Sequence, residues 1–169
     1  METIKGRVWK IGDNVDTDVI YPGKYLPIID PAEMAKHALE GLDNDFSGKI
    51  KKGDIIVAGS NFGCGSSREQ AATSLKYAGI ACVVAKSFSR IFFRNAINQG
   101  LALVESKEAF DLVRQGEEIT INYKTGQISV RDKKISFPAL PDFLMSILEE
   151  GGLIPYVRKS LRSKNQLNL

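Results

Sequence analysis

The segment best suited to chemistry spans residues 59–69, where three glycines lead into the run Ser66-Ser67-Arg68-Glu69. An apolar stretch typical of a buried strand precedes it, and a helical pattern follows it. The first turn of a helix has backbone N–H groups without internal partners and carries a partial positive charge. We therefore predict that this loop binds an anion, with a carboxylate as the obvious ligand.

Arg68 falls in the first turn of the predicted helix, where a cation is unfavourable by about 0.3–1 kcal/mol. Its presence there favours a negatively charged ligand, because a guanidinium pairs with a carboxylate through two parallel hydrogen bonds. A simpler interpretation of the same run is a capping box, in which Ser66 and Glu69 satisfy the helix end reciprocally. Spacing alone supports the two interpretations about equally.

Other catalytic motifs are not matched by these residues. The glycine-rich run lacks the lysine of a nucleotide-binding P-loop, and the chain has no Gly-x-Ser-x-Gly elbow. We interpret His37 as an exposed or half-packed helical residue, because no acid or nucleophile is spaced to partner it. Cys64 and Cys82 are the only cysteines, too few for a structural zinc site or an iron–sulfur cluster. Metal chemistry would therefore require another chain.

Composition indicates a single compact domain. The chain has 169 residues, of which 43% are hydrophobic, enough to bury a substantial core. Its formal net charge of +3 is too small to indicate a nucleic-acid or membrane partner. The sequence contains neither an apolar run of about 18 residues nor a leading targeting pattern, so we expect a cytoplasmic protein without a membrane association.

Short strands alternate with helices along the first two thirds of the chain, which favours a parallel sheet with right-handed crossovers. Residues 13–23, between the first strand and the first helix, are rich in Asp, Pro and Gly and are predicted to form an irregular loop. The predicted strands are residues 4–11, 54–59, 80–85 and 101–104, and the predicted helices are residues 30–40, 66–79 and 87–98.

The last third of the chain has a different pattern. Residues 118–123 and 127–130 alternate with period two around a turn that contains glycine, which predicts an antiparallel hairpin. A helix is expected at about residues 142–150, stopped by two glycines. We assign residues 1–157 to the domain and residues 158–169 to a basic, polar C-terminal tail whose end is expected to be mobile.

Three separated motifs resemble those of one known family. They are Asp16-Thr17-Asp18, the run Asn-Phe-Gly-Cys-Gly-Ser-Ser-Arg-Glu at residues 61–69, and the run Ser-Phe-Ser-Arg-Ile-Phe-Phe-Arg-Asn at residues 87–95. Over nearly its whole length the chain resembles the small subunits of 3-isopropylmalate dehydratase, in the aconitase superfamily. The resemblance implies an α/β fold, namely a three-layer β/β/α swivelling domain. Its mixed sheet would contain the parallel strand–helix units and the C-terminal hairpin.

The resemblance also implies roles for the glycine-rich segment. Ser66 would be the catalytic base that removes a proton next to a substrate carboxylate. Gly65, Ser67 and Arg68 would bind the substrate, a small dicarboxylic hydroxy acid. The active site would lie between this chain and a second one, so a partner is implied.

That partner would be a large subunit carrying a [4Fe–4S] cluster, and no cofactor is expected on this chain itself. Upstream, the resemblance implies that Asp16, Thr17 and Asp18 orient the glycine-rich loop. An Asx-turn with no further role fits these three residues about equally well.

Residues 24–29 correspond to the family's substrate-specificity loop. An apolar loop suits an isopropyl group, whereas an arginine would suit the third carboxylate of a homoaconitase-type substrate. A purely structural interpretation, in which these residues anchor the loop, stays open. Gln70 stands where many relatives have histidine, and its role is open too. The loop residues are Lys24, Tyr25, Leu26, Pro27, Ile28 and Ile29.

The leading functional hypothesis is a hydro-lyase that interconverts 2-isopropylmalate and 3-isopropylmalate by dehydration and rehydration, in leucine biosynthesis. One alternative is the small subunit of homoaconitase or of another small-dicarboxylate hydro-lyase, including a dual-specificity enzyme. An alternative of another class is a non-catalytic, carboxylate-binding regulatory module that docks on a partner.

Overall fold

The computed structural model describes residues 3–166, with side chains up to residue 162. Its strands are β1 (Thr3–Ile11), β2 (Ile55–Ala58), β3 (Cys82–Ala85), β4 (Ala102–Glu105), β5 (Glu118–Asn122), β6 (Gln127–Val130) and β7 (Lys133–Ser136). Its helices are α1 (Thr17–Ile20), α2 (Pro31–Ala35), α3 (Phe46–Lys49), α4 (Glu69–Ala78), α5 (Arg90–Gln99), α6 (Lys107–Leu112), α7 (Asp142–Glu149) and α8 (Leu153–Gln166). None of these helices is both long and apolar enough to cross a membrane.

The strands form one mixed sheet in the order β4-β3-β2-β1-β5-β6-β7. The second half of β1 pairs in parallel with β2, and its first half pairs antiparallel with β5. The predicted parallel units and the predicted hairpin of β5 and β6 are therefore confirmed. Strand β7 was missed, because the turn before it uses Arg131 in a left-handed conformation where a glycine signal would be expected.

The sheet folds into two layers, and helices form a third. In β2, Ile56 faces the core shared with α2, α4 and α5, while Val57 faces the opposite core shared with the antiparallel strands. The two layers of strands meet where the Tyr123 hydroxyl lies 3.2 Å from Cys82 Sγ. Burial raises the pKa of this thiol to about 12, so Cys82 is an inert packing residue. The predicted three-layer β/β/α architecture is confirmed.

Two predicted boundaries near the N-terminal helices change. The stretch predicted to be an irregular loop contains α1, whose first turn is capped by the Asp16 carboxylate. Helix α2 begins after its Asp30 cap, as predicted, but ends at Ala35. Turns with hydrogen bonds between residues three apart follow as far as Ala38, and the chain then leaves the helical path at Leu39, whose φ is 59° and whose N–H binds the Ile20 carbonyl at 2.7 Å.

In the C-terminal region a helix spans the predicted boundary between the domain and the tail. Helix α8 starts at Leu153 and continues without a break through residue 158 to Gln166. Its first turns pack against α5 and α7 through Leu153 and Tyr156. The prediction of a mobile C-terminal end also covers residues 167–169. These residues lie outside the described part of the chain.

Asp54 fixes the start of β2, the strand that leads into the glycine-rich loop. Its carboxylate, only 4% exposed, accepts hydrogen bonds from Arg7 Nη2 at 2.7 Å, Trp9 Nε1 at 2.7 Å and the Lys51 N–H at 2.9 Å. Burial raises the pKa of Asp54, but these donors outweigh burial and leave the pKa below its usual value. The charged form is therefore the one that the fold stabilises.

We expect Asp54→Ala to lower the free energy of unfolding by about 1–3 kcal/mol, because the partly buried donors on Arg7 and Trp9 lose their buried acceptor. Urea denaturation of the chain measures this. The matched control is Glu118→Gln, which removes an exposed ion pair with Lys5 and should change stability by less than about 1 kcal/mol. Equal losses in the two variants would contradict this account of Asp54.

Candidate active site

Three loops meet at the carboxyl ends of β1, β2 and β3, the edge of a parallel sheet where ligands usually bind. They are residues 12–16, the glycine-rich loop at residues 59–68, and residues 86–89. The glycine-rich loop lies between the other two: the Gly63 N–H binds the Val15 carbonyl at 2.8 Å, and the Ser89 N–H binds the Phe62 carbonyl at 2.9 Å. The pairing of the strands thus continues past their ends.

Gly63 allows this close packing. It has a left-handed φ of 74°, and a Cβ on it would lie 2.2 Å from Phe92 Cγ. The Ser89 hydroxyl donates to the Gly63 carbonyl at 2.6 Å and also caps α5. A side chain at residue 63 would therefore separate the glycine-rich loop from α5.

Ser66 and Ser67 are exposed at the tip of the loop. Helix α4 begins only at Glu69, with Arg68 at the N-cap position and without a capping hydrogen bond from its side chain. The predicted helix start at Ser66, and with it the capping-box interpretation, is wrong. Ser66 lies outside the helix because its carbonyl is bound elsewhere, as the contacts of Thr17 show.

Residues 16–18 hold the glycine-rich loop from the side of β1. The Thr17 N–H binds the Cys64 carbonyl at 2.8 Å, and the Thr17 hydroxyl donates to the Ser66 carbonyl at 2.9 Å. Asp16 Oδ1 accepts from the N–H groups of Asp18 and Val19, which fixes the start of α1. Thr17 is therefore presented to the loop by a short, rigid helix.

The Arg68 guanidinium turns back toward the same segment. It forms an ion pair with Asp18 and donates to the Tyr21 carbonyl at 3.2 Å. Asp18 Oδ1 also accepts from the Gly23 N–H at 2.8 Å. The hydrogen bond from Arg68, followed by that from Gly23, lowers the pKa of Asp18. Arg68 thus links the glycine-rich loop to the beginning of residues 24–29.

Residues 24–29 divide into exposed and inward-facing side chains. Leu26 is 38% exposed and Ile29 is 88% exposed, whereas Ile28 and Tyr25 pack against the main core. Gly23–Tyr25 forms a single 3-10 turn that opens the segment. Two large apolar side chains are therefore presented to the surroundings near the site.

His37 has a partner that the sequence prediction overlooked. Its Nδ1 lies 2.8 Å from Glu40 Oε2, and its ring stacks on Tyr25 with centroids 3.6 Å apart. The prediction that no acid is spaced to reach it is wrong, because an i,i+3 spacing brings Glu40 alongside. That spacing was the available signal.

The described residues do not form a metal or cluster site. In the part of the chain that the structure describes, no three His, Cys, Asp or Glu side chains lie close enough together to hold a metal ion. Cys82 is fully buried in the core, and Cys64 lies in the glycine-rich loop apart from it. An iron–sulfur cluster would therefore need ligands other than Cys64 and Cys82.

Comparisons with known proteins agree with this geometry. A family model described as the aconitase C-terminal domain matches residues 32–109, which include the glycine-rich loop. The isopropylmalate/citramalate isomerase small subunit of Methanocaldococcus jannaschii is 53% identical over 160 residues, covering 94% of this chain and 95% of that protein. The 3-isopropylmalate dehydratase small subunit 1 of Archaeoglobus fulgidus is 53% identical over 161 residues, covering 94% and 99% of the two chains.

A crystal structure of 3-isopropylmalate dehydratase from M. jannaschii superposes on this chain with a TM-score of 0.89 at 47% identity, covering 96% of this chain and 99% of that one. The β/β/α layers and the loop at residues 59–68 thus define a domain of the aconitase C-terminal type. Within that class, the chain belongs to the family of 3-isopropylmalate dehydratase small subunits. The resemblance inferred from the three motifs is confirmed.

We expect Gly63→Ala to lower the free energy of unfolding by about 2–3 kcal/mol, because overlap with Phe92 adds to the strain of a left-handed backbone. Gly48→Ala is the control, since nothing lies within 4 Å of a Cβ there. Being in a helix, that change should cost nothing and could add stability of up to about 1 kcal/mol. Thermal or urea unfolding of both variants tests the packing, and an unaltered Gly63→Ala would contradict it.

Proposed function

We propose that this chain is the small subunit of a 3-isopropylmalate dehydratase, a hydro-lyase, and that Ser66 is its catalytic base. Membership of the family supports the reaction. The observation that supports Ser66 is its position: the serine is exposed, lies outside α4 and has no capping role. Like its relatives in biosynthesis, the protein would work in the cytoplasm, in the pathway to leucine.

In this proposal Ser66 removes the proton next to a substrate carboxylate. A serine hydroxyl is a poor base at neutral pH, so its anion must be stabilised. Arg68 and the positive end of α4 supply charge of the required sign, and exclusion of water would strengthen both effects. Arg68, with Ser67 and the backbone at Gly65, would bind the carboxylates of the substrate.

Asp18 has a defined part in this scheme. In the free chain its carboxylate pairs with Arg68, which is only partly exposed. A substrate carboxylate would share the guanidinium or replace Asp18 on it. Asp18 thereby keeps the guanidinium of Arg68 oriented before the substrate arrives, and Thr17 keeps the loop in place.

The exposed position of Ser66 and Ser67 also supports a partner. A site that must exclude water needs a second surface over these two residues. We propose that the large subunit supplies this surface, together with the [4Fe–4S] cluster that would accept the departing hydroxyl. The relatives' designation as small subunits supports the same arrangement.

The apolar side chains of Leu26 and Ile29 support an alkyl-substituted substrate. An isopropyl group would contact them favourably, whereas the third carboxylate of a homocitrate-type acid would find one cation in the loop, Lys24, which is already paired with Glu40 at 3.0 Å. The M. jannaschii relative is named for both isopropylmalate and citramalate. Because citramalate has a methyl in place of isopropyl, we propose that this chain accepts both, with a preference set by these apolar contacts.

We expect Ser66→Ala, assembled with a cluster-bearing large subunit under anaerobic conditions, to lower kcat for isopropylmalate by about 10²–10⁴-fold. Alkene absorbance measures turnover, and co-purification measures assembly. Ser129→Ala, on the antiparallel layer away from the loops, should keep full activity. Full turnover by Ser66→Ala would show that Ser66 is not the base. The chain would then be better described as a non-catalytic, carboxylate-binding module.

We expect Ile29→Arg to lower kcat/KM for isopropylmalate by about tenfold and to raise it for a tricarboxylic homologue, because a cation replaces an alkyl contact. The side chain is 88% exposed, so the fold should tolerate the change. Competition assays with the two acids measure the shift. An unchanged ratio of the two kcat/KM values would show that residue 29 takes no part in substrate selection.

A further inference from the structure

Four polar and aromatic side chains cluster at residues 24–29, the segment that we call the specificity loop: Lys24 and Tyr25 from the loop, and His37 and Glu40 from outside it. Glu40 is at the centre of this cluster, and its side chain is 14% exposed. The Tyr25 hydroxyl donates to Glu40 Oε1 at 2.7 Å, and Lys24 Nζ lies 3.0 Å from the same oxygen. His37 Nδ1 is 2.8 Å from Glu40 Oε2. One carboxylate therefore binds two residues of the loop and one residue outside it.

Glu40 is itself held in place by its neighbours in sequence. The Leu39 N–H binds the Ile20 carbonyl at 2.7 Å, and the Gly41 N–H binds the Val19 carbonyl at 3.1 Å. A Cβ on Gly41 would lie 2.5 Å from Val19 Cα, so this approach requires glycine. The backbone on both sides of Glu40 is thus fixed to the end of α1.

The beginning of α1 holds the glycine-rich loop, because Thr17 binds the carbonyls of Cys64 and Ser66. Helix α1 has only four residues and is capped by Asp16, so its two ends are about one helical turn apart. Glu40 and Ser66 are therefore positioned against the same short helix. Any residue that Glu40 holds has a defined location relative to Ser66.

Tyr25 is the residue so held. Its ring stacks on His37 with an interplanar angle of 17°, and its carbonyl accepts from the Tyr21 hydroxyl at 2.9 Å. Leu26 follows it directly, and Ile29 lies three residues after Leu26. Both project outward while Tyr25 points inward, so Tyr25 is an anchor of the loop from which these apolar side chains project.

We propose that Glu40 and His37 are positioning residues for substrate selection: by holding Tyr25 they set the distance from Leu26 and Ile29 to the alkyl substituent of the substrate. This inference rests on the proposed function, since it assigns the alkyl substituent to the specificity loop. Neither residue needs to touch the substrate. Their effect reaches it through the loop.

The charge on Glu40 supports this role. Burial raises the pKa of Glu40, but the hydrogen bonds from His37, Tyr25 and Lys24 outweigh burial and lower the pKa from 4.5 to about 2. Glu40 is therefore ionised at neutral pH, where hydrogen bonds to a charged acceptor are stronger than those to a neutral one. Glu40→Gln keeps the shape and removes the charge, and Tyr25→Phe keeps the ring and removes the donor.

The first test uses the full chain alone and follows amide hydrogen exchange. Three amides of the loop region are protected by local hydrogen bonds, those of Tyr25, Leu26 and Ile28. We expect Glu40→Gln to speed their exchange by about tenfold, since loss of the anchor frees the loop without unfolding the domain. The matched control is Glu33→Gln, which removes an exposed ion pair with Lys36 on α2 and should leave the loop unchanged.

The second test compares isopropylmalate with citramalate in the assembled pair of subunits. We expect Glu40→Gln and Tyr25→Phe to raise KM for isopropylmalate by about five- to tenfold, with kcat within about twofold of wild type, and to reduce the preference for isopropyl over methyl. A residue that only stabilises the fold would lower the melting temperature without altering this preference.

Unchanged loop exchange, or unchanged KM and preference, in a folded Glu40→Gln protein would overturn the inference. So would a fall in kcat alone. If Glu40→Gln fails to fold, the milder variant Tyr25→Phe tests the inference through the same two measurements, loop hydrogen exchange and substrate preference. A wild-type pair with an intact cluster that is inert on both acids would instead contradict the proposed function, so the two failures are distinguishable.

Discussion

Thr17 makes two hydrogen bonds to the glycine-rich loop, and the geometry of the candidate site follows from them. Both bind backbone carbonyls, of Cys64 and Ser66, and the residue is only 3% exposed, so water competes weakly for them. Because Thr17 binds the backbone of Ser66 and leaves its side chain exposed, it fixes the direction of the loop without occupying the hydroxyl. The ion pair of Arg68 with Asp18 then ties the next turn of chain to the same short helix.

Much of the fold could be predicted because its signals are local. Every residue of β2 is buried, which gives a continuous apolar run, and β5 alternates between Ile119 and Ile121 inside and polar residues outside. The candidate site residues could be proposed by resemblance, since their motifs are contiguous. Their proximity in space could not be predicted from the residues alone, because the pairing of Asp18 with Arg68 joins positions that are 50 residues apart.

The errors arose where tertiary contacts overrule local preferences. Ser66 has the spacing of a helix cap, but the hydrogen bond from Thr17 holds it outside α4. Likewise, the sequence pattern predicts a helix past Ala35, but the chain leaves the helical path at Leu39, whose N–H binds the Ile20 carbonyl at the end of α1. Both departures from the predicted helix boundaries lie next to the glycine-rich loop or the specificity loop. Such departures from ideal sequence patterns are expected at functional sites.

Strand β1 has a consequence for how the chain acquires its structure. It is the seam of the sheet: Val8 pairs with Ile55, while Thr3 pairs with Asn122, far along the chain. Closing so long a loop carries a large entropic cost and slows folding. During synthesis the parallel strands can assemble early, yet the first residues of β1 must wait for β5 to leave the ribosome. Until then an unpaired strand edge stays open to other chains, which makes the nascent protein dependent on prompt completion.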